Sequence, residues 1–290
     1  MVNVLSIIEK ELSITALVDL AKSLNNSYEP FMQDYRVWKI IDAILPEKIK
    51  LLLQPFKIKV VGHQIVNDLI MKYYPCEKVI KYHLVRKFLN RKNEVTVFEM
   101  NINTSRLDIG RINGNSFGYE IKTELDKLTK LPKQLDDYSK VLEFIFVVTH
   151  EIHLNKILDT IPEHCGILLY ELKGKIFKVN EIKKPSISPN IDIEVQINSL
   201  ASKDIEYILK LLGQKKIPTT RFEREKILYS SLMSVANFNE LFKLALKNKF
   251  SERWSYLQNN FSQIQPIDAQ LFFSSPADPY WVYYKNSSMV

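Results

Sequence analysis

A chain of 290 residues with 46% apolar and 25% charged residues can bury a sizeable core, which excludes wholesale disorder. Its 40 basic residues against 33 acidic ones give a formal charge of +7, which suits a polyanionic partner such as nucleic acid. Two cysteines exclude a disulfide framework, and no apolar run approaches the roughly 20 residues of a membrane helix. With no signal peptide in the first residues either, we expect a cytoplasmic protein without a membrane partner.

Three regions follow one another along the chain. Residues 1–75 carry apolar residues at helical spacing, interrupted by prolines, which predicts a helical N-terminal region. Residues 76–180 alternate helical and strand-like segments, which predicts an α/β core. Residues 181–290 begin with a linker rich in Lys, Pro and Ser and return to helical periodicity. Strands are predicted at 95–100, 107–112, 117–123, 144–149 and 167–172.

The second and third predicted strands form a hairpin. Asn113 and Gly114 both tolerate positive φ and lie between two strand-like runs, which is a strong turn signal. Side chains alternate between the two faces of a strand, so Glu120 and Lys122 point the same way. Asp108 lies on the partner strand between apolar neighbours, where a charge costs free energy unless it is paired or binds an ion.

This arrangement has a chemical use. Mg²⁺ prefers oxygen ligands and takes one or two carboxylates, so Asp108 and Glu120 are its predicted ligands. Lys122 is predicted to position the attacking water and to offset charge in the transition state of phosphodiester hydrolysis. An exposed hairpin with a surface Glu–Lys pair is the structural alternative.

A helix opening follows the hairpin. Pro132 is suited to a first helical turn, and Gln134 and Tyr138 lie four residues apart on one helix face. Their neutral amide and phenol groups suit phosphate oxygens or the orientation of a carboxylate. An ordinary helix surface is again the alternative.

The order and spacing of these residues resemble the QxxxY branch of the PD-(D/E)XK nuclease superfamily. Asp108 is followed after eleven residues by Glu120-Ile121-Lys122, and after eleven more by Gln134 with Tyr138. The stretch also resembles a small uncharacterised bacterial family placed in that superfamily. The resemblance implies that these five side chains are catalytic.

The resemblance covers residues 77–172 and implies a restriction-endonuclease-like core, in which helices flank a mixed central sheet of four strands. It also implies bound Mg²⁺ or Mn²⁺ as cofactor and phosphodiester hydrolysis. Leu107 replaces the proline of the superfamily's name. Many members carry a further acid upstream, and Glu99 is the preferred candidate for this third metal ligand, with Glu77 the second choice.

Basic and metal-ligating residues surround the predicted site. Four lysines could contact phosphates or form a solvated helix face: Lys127, Lys130, Lys133 and Lys140. A zinc site is a weaker alternative, built from His150, His153, His164 and Cys165.

We therefore expect a metal-dependent nuclease, with DNA favoured as substrate and with a role in defence against foreign DNA or in DNA processing. The alternative is an inactive nucleic-acid-binding or regulatory module that keeps the nuclease fold. Cleavage of both strands of a duplex would suit a homodimer. The mostly helical N- and C-terminal extensions could bind a protein partner.

Overall fold

The computed structural model describes residues 4–174, 176–231 and 233–284. The chain forms two compact units, and the predicted region 181–290 contributes to both. The helical unit comprises residues up to 86, residues 172–176 and residues from 256 onward, and the sheet unit comprises 87–171 and 177–255. Residues 1–3, 175, 232 and 285–290 of the predicted regions lie outside the described residues.

The N-terminal region is helical, as the spacing of its apolar residues predicted. Ser13 begins its second helix, because the serine hydroxyl accepts a hydrogen bond from the Ala16 N–H at 3.3 Å. No helix in the described ranges has the length and apolar content needed to cross a bilayer. The first six helices are α1 (Val4–Glu11), α2 (Ile14–Ser27), α3 (Asp34–Ile44), α4 (Glu47–Leu53), α5 (Gly62–Tyr73) and α6 (Glu77–Arg86).

The sheet unit contains a mixed sheet flanked by helices. Its strands are β1 (Val95–Ile102), β2 (Ser105–Ile112), β3 (Ser116–Lys122), β4 (Phe144–Thr149), β5 (Gly166–Lys173) and β6 (Ile176–Lys183), in that spatial order. Strands β1, β2 and β3 pair antiparallel, whereas β3, β4 and β5 pair parallel. The later helices are α7 (Leu131–Ser139), α8 (Glu151–Thr160), α9 (Ile193–Ser199), α10 (Ser202–Leu211), α11 (Arg221–Ser230), α12 (Val235–Asn260), α13 (Ala269–Ser274) and α14 (Pro279–Tyr283).

The α/β class, the five predicted strands and the hairpin are confirmed. Ile112 pairs with Ser116 around a turn in which Gly114 has a φ of 111°. The sheet has six strands and not the four that the resemblance implies. Strand β6 occupies residues at the end of the predicted core and the start of the predicted linker, where one face is exposed and the other is mostly half-buried. Its apolar residues fall on both faces, Ile176 and Ile182 on one and Phe177 and Val179 on the other, so no apolar alternation marked it.

Two glycines face each other across β2 and β3. Gly110 pairs with Gly118. A Cβ on Gly118 would lie 2.8 Å from the Leu142 Cδ1 and 3.2 Å from the Leu107 Cδ1, whereas a Cβ on Gly110 would meet its nearest atoms at 3.8 Å. The leucines thus fill the space above Gly118 only.

We expect Gly118→Ala to lower the free energy of unfolding by about 1–3 kcal/mol, because two buried leucines would have to move. Gly110→Ala is the matched control and should be close to neutral, since its Cβ makes ordinary contacts. Urea denaturation of both variants measures the difference. Equal stability of the two variants would contradict this account of the leucine packing.

A buried carboxylate holds part of the helical unit together. Asp268 Oδ2 accepts hydrogen bonds from the Tyr28 hydroxyl at 2.9 Å and the Tyr283 hydroxyl at 2.7 Å. Burial raises the pKa of Asp268 to about 6, although the two hydroxyls and the nearby His63 act in the opposite direction. The folded helical unit therefore binds this proton more tightly than the unfolded chain does.

The stability contribution of Asp268 should fall as pH rises. The unfolded carboxyl has a pKa of roughly 3.9, so the folded chain carries the extra proton between about pH 4 and pH 6 and loses it above. From the pKa of about 6, ionisation should cost roughly 3 kcal/mol by pH 7 relative to pH 4. Urea denaturation of wild type and Asp268→Asn at both pH values tests this. Asp268→Asn should lack this pH-dependent loss of stability. Identical pH profiles of the variant and wild type would contradict the assignment to Asp268.

Candidate active site

The predicted site lies where β2 and β3 stop pairing through their backbones. Their paired residues run from Ile112 and Ser116 to Ile109 and Tyr119. Beyond that point the Ile121 N–H donates to the Asp108 Oδ2 at 2.7 Å, so a side chain replaces the next backbone acceptor. Asp108 is 7% exposed. The carboxylate therefore stands at the fork between the two strands.

Glu120 and Lys122 form a buried ion pair on one face of β3, as the alternation of side chains predicted. The Lys122 Nζ donates to the Glu120 Oε1 at 2.7 Å and to the Gln134 Oε1 at 3.0 Å. Glu120 is 2% exposed and Lys122 is 8% exposed. The alternative interpretation of Glu120-Ile121-Lys122, an exposed hairpin with a surface Glu–Lys pair, is therefore wrong.

Tyr138 completes the contacts of Glu120. Its hydroxyl lies 2.8 Å from the Glu120 Oε2 and 2.9 Å from the Arg106 carbonyl oxygen, and it accepts from the Gln134 Nε2 at 3.5 Å. Burial raises the pKa of Tyr138 far above its usual value, and the negative charge of Glu120 raises it further. The phenol therefore stays protonated and serves as a donor at the site.

A buried aspartate that the sequence reasoning missed fixes α7 to the turn between β1 and β2. Asp137 accepts hydrogen bonds from the Ser105 Oγ at 2.6 Å, the Lys133 Nζ at 2.6 Å and the Asn103 Nδ2 at 3.3 Å. Burial alone would raise the pKa of Asp137, but these donors outweigh it and lower the pKa. The spacing of four residues between Lys133 and Asp137 predicts their ion pair on α7. It does not predict the contact of Asp137 with the turn between β1 and β2.

Glu99 lies on β1, opposite Asp108 in the antiparallel register. It is ion-paired with Arg106 and has a φ of 56°, a conformation that non-glycine residues adopt at a cost of about 1–3 kcal/mol. Carboxylate oxygens of Glu99 and Asp108 lie within 4.8 Å of one another. Glu77, the second candidate, belongs to α6 of the helical unit.

The acidic side chains fit a hard divalent cation in chemistry. Glu99 and Asp108 offer close carboxylate oxygens, the donor type that Mg²⁺ and Mn²⁺ prefer. Glu120 does not join this close group, because its two oxygens bond to Lys122 and Tyr138. Of the three predicted metal ligands, Glu99 and Asp108 therefore lie together, whereas Glu120 is bonded to Lys122 and Tyr138.

The four predicted phosphate-contacting lysines divide into two pairs. Lys133 is bonded to Asp137, and Lys140 to Asp136 at 2.7 Å, so the charges of both are balanced on their own helix. Lys127 and Lys130 are exposed and form no ion pair with any described residue. Of these four lysines, only Lys127 and Lys130 can therefore bind a phosphate without the loss of a salt bridge.

The predicted zinc alternative finds no cluster in the part of the chain that is described. His150 accepts from a backbone N–H at the start of α8, and His153 lies 3.0 Å from the Thr123 carbonyl oxygen. His164 donates to the Ser139 Oγ, because that hydroxyl gives its own proton to a carbonyl. No group of metal-ligating side chains includes these histidines or Cys165.

The family described as Bacteriophage P4 protein cII matches residues 72–272, which is more than half of the chain. The chain belongs to this P4 cII family. The matched segment contains the sheet, α7 and the whole of the site described above, so the network belongs to the part of the chain that defines the family match. Neither a curated protein nor a solved structure matches the chain.

The hydrogen bond between Tyr138 and Glu120 should couple the two residues energetically. Tyr138→Phe removes the hydroxyl that lies 2.8 Å from the Glu120 Oε2. In a double-mutant cycle with Glu120→Gln we expect a coupling of about 1.5–3 kcal/mol, typical of a buried hydrogen bond to a charged group. Urea denaturation of the single and double variants measures it.

Asp136→Asn provides the control for this cycle. Asp136 is on the same helix but is 53% exposed, and it pairs with Lys140. Its cycle with Tyr138→Phe should be additive to within about 0.5 kcal/mol. An additive result for Glu120 as well would show that the Tyr138 hydroxyl does not support that carboxylate.

Proposed function

We propose that the chain is a metal-dependent nuclease that hydrolyses phosphodiester bonds, with DNA as the favoured substrate. One observation carries the proposal. Glu120, Lys122, Gln134 and Tyr138, which the family resemblance selected, form one largely buried hydrogen-bonded network, and Asp108 stands at the fork beside it. A purely structural hairpin would gain little from burying two acids and a lysine.

The topology around the network also supports a PD-(D/E)XK-like core. An antiparallel hairpin is followed by a helix and then by a strand parallel to β3, which gives a mixed sheet with the candidate residues at the strand fork. Helix α7 carries Gln134 and Tyr138 back to β3. This is the arrangement that the motif order requires.

Glu99 and Asp108 would hold Mg²⁺ or Mn²⁺, and Glu120 would complete the set if its carboxylate turned from its present partners. When bound, the ion would neutralise phosphate oxygens and acidify a nearby water. Every other contribution to the proposed hydrolysis comes from the side chains of the protein itself.

Lys122 is the group that we assign to the reacting water or phosphate. An ammonium has three N–H donors, and two of them are directed to Glu120 and Gln134. The third remains for a water or a phosphate oxygen. Because both protein partners are themselves fixed, the lysine is held in place before substrate binds, which is how a cation stabilises a transition state most effectively.

The second candidate function is a nucleic-acid-binding or regulatory module without turnover. It is favoured by the same Glu120, whose oxygens are both engaged and which stands apart from the close pair of Glu99 and Asp108. In such a module Lys122 would be a structural partner of Glu120.

The biological setting is part of the proposal. The family takes its name from a bacteriophage protein, which is compatible with a role in DNA processing or in defence against foreign DNA. A homodimer would suit cleavage of both strands of a duplex. A protein partner through the helical flanks remains a separate proposal.

Lys122→Ala should abolish cleavage, with a loss of about 10²–10³-fold or more, because it removes the cation held at the reacting centre. The assay compares wild type and variant on plasmid, linear duplex, single-stranded DNA and RNA. Each substrate is incubated with Mg²⁺, with Mn²⁺ and with EDTA. Cleavage should require the metal, and the preferred substrate identifies the kind of nuclease.

Lys156→Ala is the matched control, since Lys156 is an exposed residue of α8 outside the network. It should cleave like wild type. Thermal unfolding of each variant shows whether the fold is intact. If no substrate is cut while nucleic acid still binds, the binding module replaces the enzyme, and equal activity of Lys122→Ala and wild type would refute the assigned role.

A further inference from the structure

The helical unit contains a cavity of about 340 Å³ that the nuclease proposal does not use. Its lining includes three apolar residues, Leu5, Met71 and Pro266. It also includes three basic residues, Lys72, His83 and Arg86, and the acidic Asp68. The cavity volume falls within the range of about 300–1,000 Å³ that is usual for small-molecule sites.

One basic residue of the lining has an available charge. Arg86 is exposed at the end of α6, and it forms no ion pair with any residue that the structure describes. Lys72 is bonded to Glu9 at 2.7 Å, so its charge is partly balanced. A guanidinium with five N–H donors is suited to the oxygens of a phosphate group, and an ammonium in the same lining adds positive charge.

The polar and aromatic walls are held in place by the protein itself. Asn67 is 5% exposed, donates to the Asp68 Oδ1 at 3.2 Å and accepts from the Ile267 N–H at 3.3 Å. The Tyr82 ring stacks on Phe261 with a centroid distance of 5.3 Å and an interplanar angle of 3°. A cavity with fixed walls binds a ligand without the entropic cost of ordering them.

We propose that this cavity binds a nucleoside monophosphate. The phosphate would contact Arg86 and Lys72, and the base would lie against the apolar residues Leu5, Met71 and Pro266 of the lining. The amide of Asn67 and the carboxylate of Asp68 would face the polar edge of the base, because an amide next to a carboxylate presents donors and acceptors together. This site is independent of the proposed nuclease centre.

Isothermal titration calorimetry tests the proposal on the full chain carrying Lys122→Ala, in EDTA, so that cleavage and its metal play no part. The probes are AMP, GMP, UMP, guanosine and inorganic phosphate. At least one nucleotide should bind saturably. Guanosine and inorganic phosphate should each bind at least tenfold more weakly than that nucleotide, because each lacks one of the two groups, base and phosphate, that the cavity would bind.

Arg86→Gln should weaken binding of the nucleotide at least fivefold and leave the weak binding of guanosine unchanged. Arg36→Gln is the matched control, because Arg36 is an exposed arginine of the same unit whose described side-chain hydrogen bond is to Tyr35 and which does not line the cavity. Absence of saturable binding by all three nucleotides would overturn the proposal. So would equal binding of inorganic phosphate, or equal effects of the two arginine variants.

Discussion

The arrangement of the sheet unit depends on one requirement, that the buried carboxylate of Glu120 must have donors. With 2% of its surface exposed, Glu120 cannot rely on water, so both oxygens are satisfied by protein groups. Lys122 comes from the same strand, but Tyr138 comes from α7. The charge on β3 can therefore be buried only when the helix is docked, and the docking of the helix is in turn fixed by Asp137.

The same requirement explains the positions of the other polar groups at the site. Asp108 receives the backbone N–H that the separating strands leave without a partner, and Gln134 bridges Lys122 and Tyr138. Removing Lys122 or Tyr138 would take a donor from the buried Glu120 carboxylate. A network closed in this way holds its side chains in one geometry, which is the property that a catalytic centre needs and that a solvated surface lacks.

Local patterns in the sequence were sufficient for the parts of the fold and site that depend on short spacing. The Asn113–Gly114 turn follows from two residues that tolerate positive φ. The shared face of Glu120 and Lys122 and the helix carrying Gln134 and Tyr138 follow from periodicities of two and about four residues. Strand β6 was missed because its apolar residues fall on both faces, which removes the alternation. The role of Asp137 was missed because its partners in the turn between β1 and β2 are more than thirty residues away, and no local pattern encodes such a contact.

The contacts of the site also differ in how much chain each must close, which bears on the order in which they form. The bond from Ile121 to Asp108 spans 13 residues within one hairpin, whereas the Asp137 contact to Ser105 spans 32 residues and joins a helix to a different turn. Closing the longer loop costs more chain entropy, and that cost is recovered only once α7 is packed. During folding, the hairpin can therefore exist before the network does. A chain emerging from synthesis would gain its hairpin first and its complete polar centre only after α7 has packed.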